Sequence, residues 1–435
     1  MRKAGSVTTQ HDNEASLLYA VIAVMLAFPI FFGGIVVERM TETYWGLHTV
    51  FFVYRIVSIV LITAATAWLI RRTKPSEYPF FLWLLVFMLA LALVVGTLHG
   101  RSLHQMASHA MQAMVAILGF LTGYLCLRRR IDMWRIAEIF SVTAIVTVLI
   151  WMCVYIIAAK ASQYALPDYS LNFYVLIVPF AYFIASGRGL SATLTFALMI
   201  LVGKRAIMLA GVAMMAWQCV LIFFARKQPN IRRMTSPYIL AIVVLTALRV
   251  GGPLIPLPST LHLPSTIGAP NTASVAKDLG RSVAMTDLNS LSSFRGNLIE
   301  SVVTMLNSSP IQWLTGAGLG SSFIFNYSKF SALTDGVDLM PLHLVMLYGA
   351  PLTLVVFIYL SFLLASAALS GRRNVDPLRD FLSTTTLGFL ACSMFTYVSI
   401  DPSFWLFVGA LSFLTMKGVT LHAAHACPTT GPATT

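Results

Sequence analysis

Residues 79 to 97 read PFFLWLLVFMLALALVVGT, nineteen positions without one charged side chain. As a helix this run rises about 28 Å, close to the ~30 Å hydrocarbon thickness of a bilayer. In hydrocarbon a segment must satisfy its own backbone N–H and C=O groups, which an α-helix does and a lone strand does not. The run therefore predicts a membrane-spanning helix.

Working outward, similar apolar runs recur at 17–37, 49–70, 106–127, 137–159, 171–185, 189–202, 206–225, 236–251, 341–368, 381–399 and 403–416. With 79–97 they make twelve expected spans; the pair 171–185 and 189–202 is short and joined only through Ser186-Gly187-Arg188-Gly189. The fold class expected is an all-α, polytopic integral membrane protein with one long outer loop that contains interfacial helices. Its parts are 1–251 with helices 1–9, the loop domain 252–340, helices 10–12 over 341–416, and the tail 417–435. The polar stretch from Met1 to Ser16 precedes an apolar run longer than a signal sequence, so the first helix is expected to be retained.

Composition excludes a water-soluble enzyme: of 435 residues 58% are hydrophobic and 10% charged, against roughly 25% charged in ordinary soluble domains. A net charge of +13 would suggest nucleic acid in a soluble chain, but here the cations sit in short clusters between apolar runs. Five cysteines without CxxC or CxxH spacing offer neither a disulfide framework nor a zinc site.

Placing the N-terminus in the cytoplasm puts Arg71-Arg72 with Lys74, Arg128 to Arg130 with Arg135, Arg188, Arg226-Lys227 with Arg232-Arg233, and Arg372-Arg373 with Arg379 on the inside. With Arg2, Lys3 and Lys417 these are eighteen of the 29 basic residues, which satisfies the positive-inside rule. Lys204-Arg205 is the exception, at the outer end of a helical hairpin. Two cations at a helix N-terminus, where the macrodipole disfavours them, fit an anionic ligand bound by guanidinium and backbone amides, or they snorkel to headgroups.

The long outer stretch opens with Pro253, Pro256, Pro258, Pro264 and Pro270, which suits an extended segment. From Ser293 onward Leu298, Ile299, Val302, Val303 and Leu306 recur at helical spacing, predicting an amphipathic helix on the membrane interface that ends at Asn307-Ser308-Ser309-Pro310. In Leu314-Thr315-Gly316-Ala317-Gly318-Leu319-Gly320 the glycines have no surrounding strand or βαβ unit, so a compact turn against a ligand or another helix is expected rather than a dinucleotide site. Asp338 is placed to cap the tenth span, Pro341 falls in its first turn, and His343 follows at the outer interface, where the helix N-terminus favours a neutral imidazole base. The other outer histidines, His48, His99, His104 and His109, read as headgroup or packing residues.

Val202-Gly203-Lys204-Arg205-Ala206 in a hairpin, Phe294-Arg295-Gly296-Asn297 in the long loop, the glycine turn, and His343 leading into Tyr348-Gly349-Ala350-Pro351 resemble the O-antigen ligase and polymerase superfamily, bacterial inner-membrane glycosyltransferases of the GT-C type. The similarity covers roughly residues 190–360. It implies periplasmic transfer of a glycan from undecaprenyl diphosphate, with no cofactor and no metal, in the bacterial inner membrane with both termini cytoplasmic. The implied partners are the carrier-linked glycan, lipid A-core or a second carrier-linked glycan, and membrane lipids, without nucleic acid. Lys204, Arg205 and Arg295 would bind the diphosphate, the two arginines acting in catalysis, and His343 would take the acceptor proton. Asp335 or Asp338 is the reserve base. One long outer loop favours a ligase over a polymerase; a secondary transporter or lipid-carrier flippase is the reading from another class.

Overall fold

A computed structural model describes residues 19, 47–71, 78–161, 174–201, 205–225, 288–327, 330–334, 337, 339–370, 376–395 and 402–417. In chain order the elements are α1 Leu47–Ile70, α2 Phe80–Leu98, α3 Leu103–Arg128, α4 Met133–Ala161, α5 Ile177–Ala185, α6 Gly189–Leu201, α7 Arg205–Ala225, α8 Leu288–Asn307, α9 Ile311–Thr315, β1 Phe323–Tyr327, β2 Phe330–Thr334, α10 Met340–Tyr348, α11 Ala350–Ser370, α12 Pro377–Ser393 and α13 Pro402–Lys417. Among the described residues four stretches are long and apolar enough to cross a membrane: α2, α3, Met133–Ile150 and Ala350–Leu369. Their outer faces carry exposed Trp83, Phe87, Val146, Leu354 and Phe362, apolar surface that suits lipid rather than water. The protein is a mostly helical, membrane-embedded one. The spans expected at 17–37 and 236–251 lie outside the described residues except for Tyr19.

The all-α expectation needs one correction. β1 and β2 form an antiparallel hairpin, from Phe323 opposite Thr334 to Tyr327 opposite Phe330. Its cause is legible afterwards: Phe323, Phe325 and Tyr327 alternate with Ile324 and Asn326, an aromatic period-two pattern. A second correction concerns the expected span 341–368, which is two helices. Gly349, at φ +83°, breaks it in a conformation that costs glycine little, and Pro351, in the first turn of α11, has no N–H to lose. The expected interfacial helix is α8, but Leu298, Val302 and Leu306 are buried in the protein core, and α8 packs on β1 and α10. Leu339, not Asp338, occupies the cap position of α10 and makes no side-chain cap; Asp338 lies outside the described residues.

The core forms where α3 and α13 approach backbone to backbone. Gly119 and Gly123, four apart on α3, lie against Pro402 and Leu406, and Gly409 lies against Phe120. Small residues at this spacing let membrane helices gain dispersion contacts that side chains would block. Around the seam Phe81 stacks on Tyr359 at 3.9 Å, and Tyr359 shares a 2.5 Å hydrogen bond with Ser412. Interhelical hydroxyl pairs such as Thr66 with Thr122, at 2.7 Å, satisfy polar groups that lipid cannot.

The cationic turns gather at one end of the bundle. Arg129 donates to the Leu69 carbonyl, Arg188 lies over the Tyr182 ring, Trp134 packs on Tyr182 and Phe381, and Arg379 donates to the Leu414 carbonyl. Helix α3 runs from this end to Ser102, whose hydroxyl accepts the Gln105 N–H at the other.

A leucine at Gly123 would overlap the Leu406 carbonyl, so Gly123→Leu is expected to cost about 2–3 kcal/mol. Gly296→Ala, where nothing lies within 4 Å of an added Cβ, should instead gain about 0.5–1 kcal/mol. Thermal unfolding of both variants in detergent checks the pair; an equal response would contradict the seam.

Candidate functional site

The glycine turn is built into the end of the bundle away from the cationic turns. Gly316, Gly318 and Gly320 have φ of +76°, +79° and +77°, values that L side chains resist. Between them the backbone docks on three helices. The Ala317 N–H donates to the Met346 carbonyl of α10 at 2.7 Å, and the Leu319 N–H donates to the Ala92 carbonyl of α2 at 2.9 Å. The Gly320 N–H donates to His109 Nδ1 of α3 at 2.9 Å. Gly318 lies so close to Gly96 that an added Cβ would come within 2.9 Å of the Gly96 Cα. The compact turn against another helix, expected from sequence, is what these contacts describe.

The same turn sets the chemistry of His109. A ring nitrogen that accepts a hydrogen bond carries no proton, so the neutral imidazole holds its proton on Nε2. His109 is 2% exposed and His343 3%. Their rings meet edge to face, with centroids 6.2 Å apart and planes at 86°. His343 is held in the first turn of α10, its N–H donating to the Leu339 carbonyl at 2.9 Å. Both rings line a half-open cleft of about 40 Å³, together with Gln112, Leu347, Tyr348 and Trp405. Such a space holds one or two water-sized groups among apolar walls. Two imidazoles and an amide converging there can accept, donate and relay a proton.

Of the sequence-predicted residues, His343 lies in this cleft. Arg205 is the first residue of α7 and Arg295 lies within α8; the side chains of both, and Lys204, Asp335 and Asp338 altogether, lie outside what the structure describes. Helix α8 packs on α10, so the helix that carries Arg295 adjoins the one that carries His343, whereas α7 packs on α11 and α12. No described contact joins Arg205 to Arg295. Among the described residues no three His, Cys, Asp or Glu side chains gather as metal ligands.

Sequence reasoning read His109 as a headgroup or packing residue and passed over Gln112. The available signal was their spacing: i, i+3 on one face of an otherwise apolar span, beside the small residues Ala113 and Ala116. Polar side chains so placed in a membrane helix mark an internal cavity or partner.

Comparison with protein-family models, with curated proteins and with solved structures finds no match to this chain.

Nitrogen NMR of histidine-labelled protein should show His109 as the Nε2–H tautomer. Gly318→Ala, which adds a Cβ at a left-handed position against Gly96, should lower the melting temperature and abolish that signature. An Nδ1–H tautomer in the unaltered protein would contradict the assigned docking of the turn.

Proposed function

We propose that this protein is a membrane glycosyltransferase that moves a glycan from undecaprenyl diphosphate to an acceptor hydroxyl at the periplasmic face, and that its acceptor is lipid A-core, as in O-antigen ligation. The observation that carries the reading is the pairing of His343 with His109 in one cleft, at the end of the bundle opposite the arginine turns. By the positive-inside rule that end faces the periplasm. The adjacency of α8 and α10 supports a site shared by Arg295 and His343.

In this reading the acceptor oxygen attacks the anomeric carbon while the bond from that carbon to the diphosphate oxygen breaks. The electron pair of the broken bond leaves with undecaprenyl diphosphate, and the acceptor proton passes to the His343 imidazole. Direct attack inverts the anomeric centre. Arg205 and Arg295, with Lys204, hold the diphosphate and offset the charge that develops on it. His109, fixed by the Gly320 N–H, orients its ring against that of His343. Asp335 or Asp338 is the reserve base.

Purified protein in detergent, supplied with carrier-linked glycan and lipid A-core, should form polysaccharide-bearing lipid A-core without any ion gradient. Lengthened carrier-linked chains would move the acceptor to a second carrier and make the protein a polymerase; counterflow without bond cleavage would make it a transporter and end the proposal. Arg205→Ala and Arg295→Ala should each abolish transfer with the protein still in the membrane. His343→Ala should lower turnover by about 10²–10⁴-fold, the usual worth of a general base, with little loss of carrier binding. An unchanged rate would shift the base to an aspartate.

A further inference from the structure

A cation at the same end of the bundle belongs to none of the roles above. The turn between α2 and α3 closes with Gly100 at φ +66°. The Gly100 N–H donates to the Thr97 carbonyl at 3.0 Å and the Arg101 N–H to the Gly96 carbonyl at 3.1 Å, the paired bonds of a helix stop. The Arg101 backbone is thereby fixed, immediately before the Ser102 cap of α3. Gly96 is also the residue on which Gly318 rests, so the glycine turn and Arg101 are brought together. The Arg101 Cβ lies 3.2 Å from where a Cβ on Gly320 would stand.

Two polar atoms in this junction have unused hydrogen-bonding capacity. Ser321, directly after Gly320, is 0% exposed. Its Oγ and the Nε of half-buried Arg101 are both buried without a hydrogen-bond partner among the described residues. A buried donor with no partner is destabilising, and more so when the group is charged. Topology does not explain the cation either, because the end away from the arginine turns is the one where the positive-inside rule makes cations sparse. An oxyanion accepts from both a guanidinium and a hydroxyl. Arginine presents a planar fork of donors to phosphate, and a hydroxyl adds a further one.

We infer that Arg101 and Ser321 form an anion subsite that takes a phosphate or diphosphate group where the α2–α3 turn meets the glycine turn. The Gly320 N–H, one residue before Ser321, is the donor to His109 Nδ1, so the subsite adjoins the turn that holds that ring. The anion chemistry stands on these residues alone; for the choice of a lipid-linked diphosphate as its source, the inference rests on the transferase reading.

The test titrates inorganic pyrophosphate and, separately, farnesyl diphosphate into the purified full chain in phosphatidylcholine nanodiscs. Both should bind the unaltered protein. Arg101→Gln should weaken both at least tenfold, Arg101→Lys should lose less, and Ser321→Ala should weaken both about threefold, with melting curves reporting that each variant is folded. Tighter binding of farnesyl diphosphate than of pyrophosphate identifies a lipid-linked source, and equal binding a free phosphate. Unchanged binding by both Arg101→Gln and Ser321→Ala, or no binding by the unaltered protein, overturns the subsite. The two readings fail separately. Binding lost in Arg101→Gln with no glycan transfer by the unaltered protein leaves the subsite and removes the transferase, while normal transfer with binding unaffected by Arg101→Gln does the reverse.

Discussion

An irregular backbone can enter an apolar bundle only if each of its N–H groups finds an acceptor there. Within the stretch Gly316 to Gly320, the Ala317, Leu319 and Gly320 N–H groups answer to three separate helices: Met346 of α10, Ala92 of α2 and His109 of α3. Glycine at 316, 318 and 320 is what permits it, since each adopts a positive φ and an added Cβ at 316 or 318 would come within 2.4 Å of neighbouring backbone. The two carbonyls that accept are helix carbonyls with a spare lone pair. The third acceptor is a side chain, and that is where a packing requirement becomes a chemical one.

Because His109 must accept from Gly320, its tautomer and ring plane are set by the fold rather than by solvent. Because α10 stops at Gly349 and starts again as α11, the segment bearing His343 is short and can tilt onto the turn independently of the long helix that follows. The break is itself held by the turn: a Cβ at Gly349 would overlap the Leu314 carbonyl. One glycine-rich loop thus binds the His109 ring and the helix that carries His343, and it also meets the turn of Gly96 and Arg101. Below this layer the α3–α13 seam of Gly119, Gly123 and Gly409 supplies the rigid floor, with Trp405 of α13 reaching the cleft.

Much of this was legible in the sequence, for physical reasons that differ by element. Helices α2, α3 and α4 announce themselves because hydrocarbon demands long uncharged runs, and α2 is found within one residue of its expected limits. His343 was legible because Asp338, Pro341 and the following apolar run mark a helix start, although Leu339 and not the aspartate takes the cap position. The hairpin of β1 and β2 was hidden by its brevity, five residues a side, inside a stretch read as loop. The burial of α8 was hidden because an amphipathic face reads the same whether it meets lipid or protein. His109 and Arg101 were hard to single out in the sequence for a common reason: the glycine turn that each meets lies more than 200 residues away in the chain, and for His109 the local signal was its i, i+3 spacing with Gln112.

In the proposed transferase the end of the bundle holding His109, His343 and the glycine turn faces away from the cytoplasm. In a chain with its five native cysteines replaced, a single cysteine at exposed position His104 or at exposed position Arg71 reports the two ends of the bundle. Intact spheroplasts treated with a membrane-impermeant maleimide should show the cysteine at 104 modified at once and the one at 71 modified only after the membrane is opened. Modification of position 71 in intact cells, with position 104 protected until lysis, would contradict that orientation.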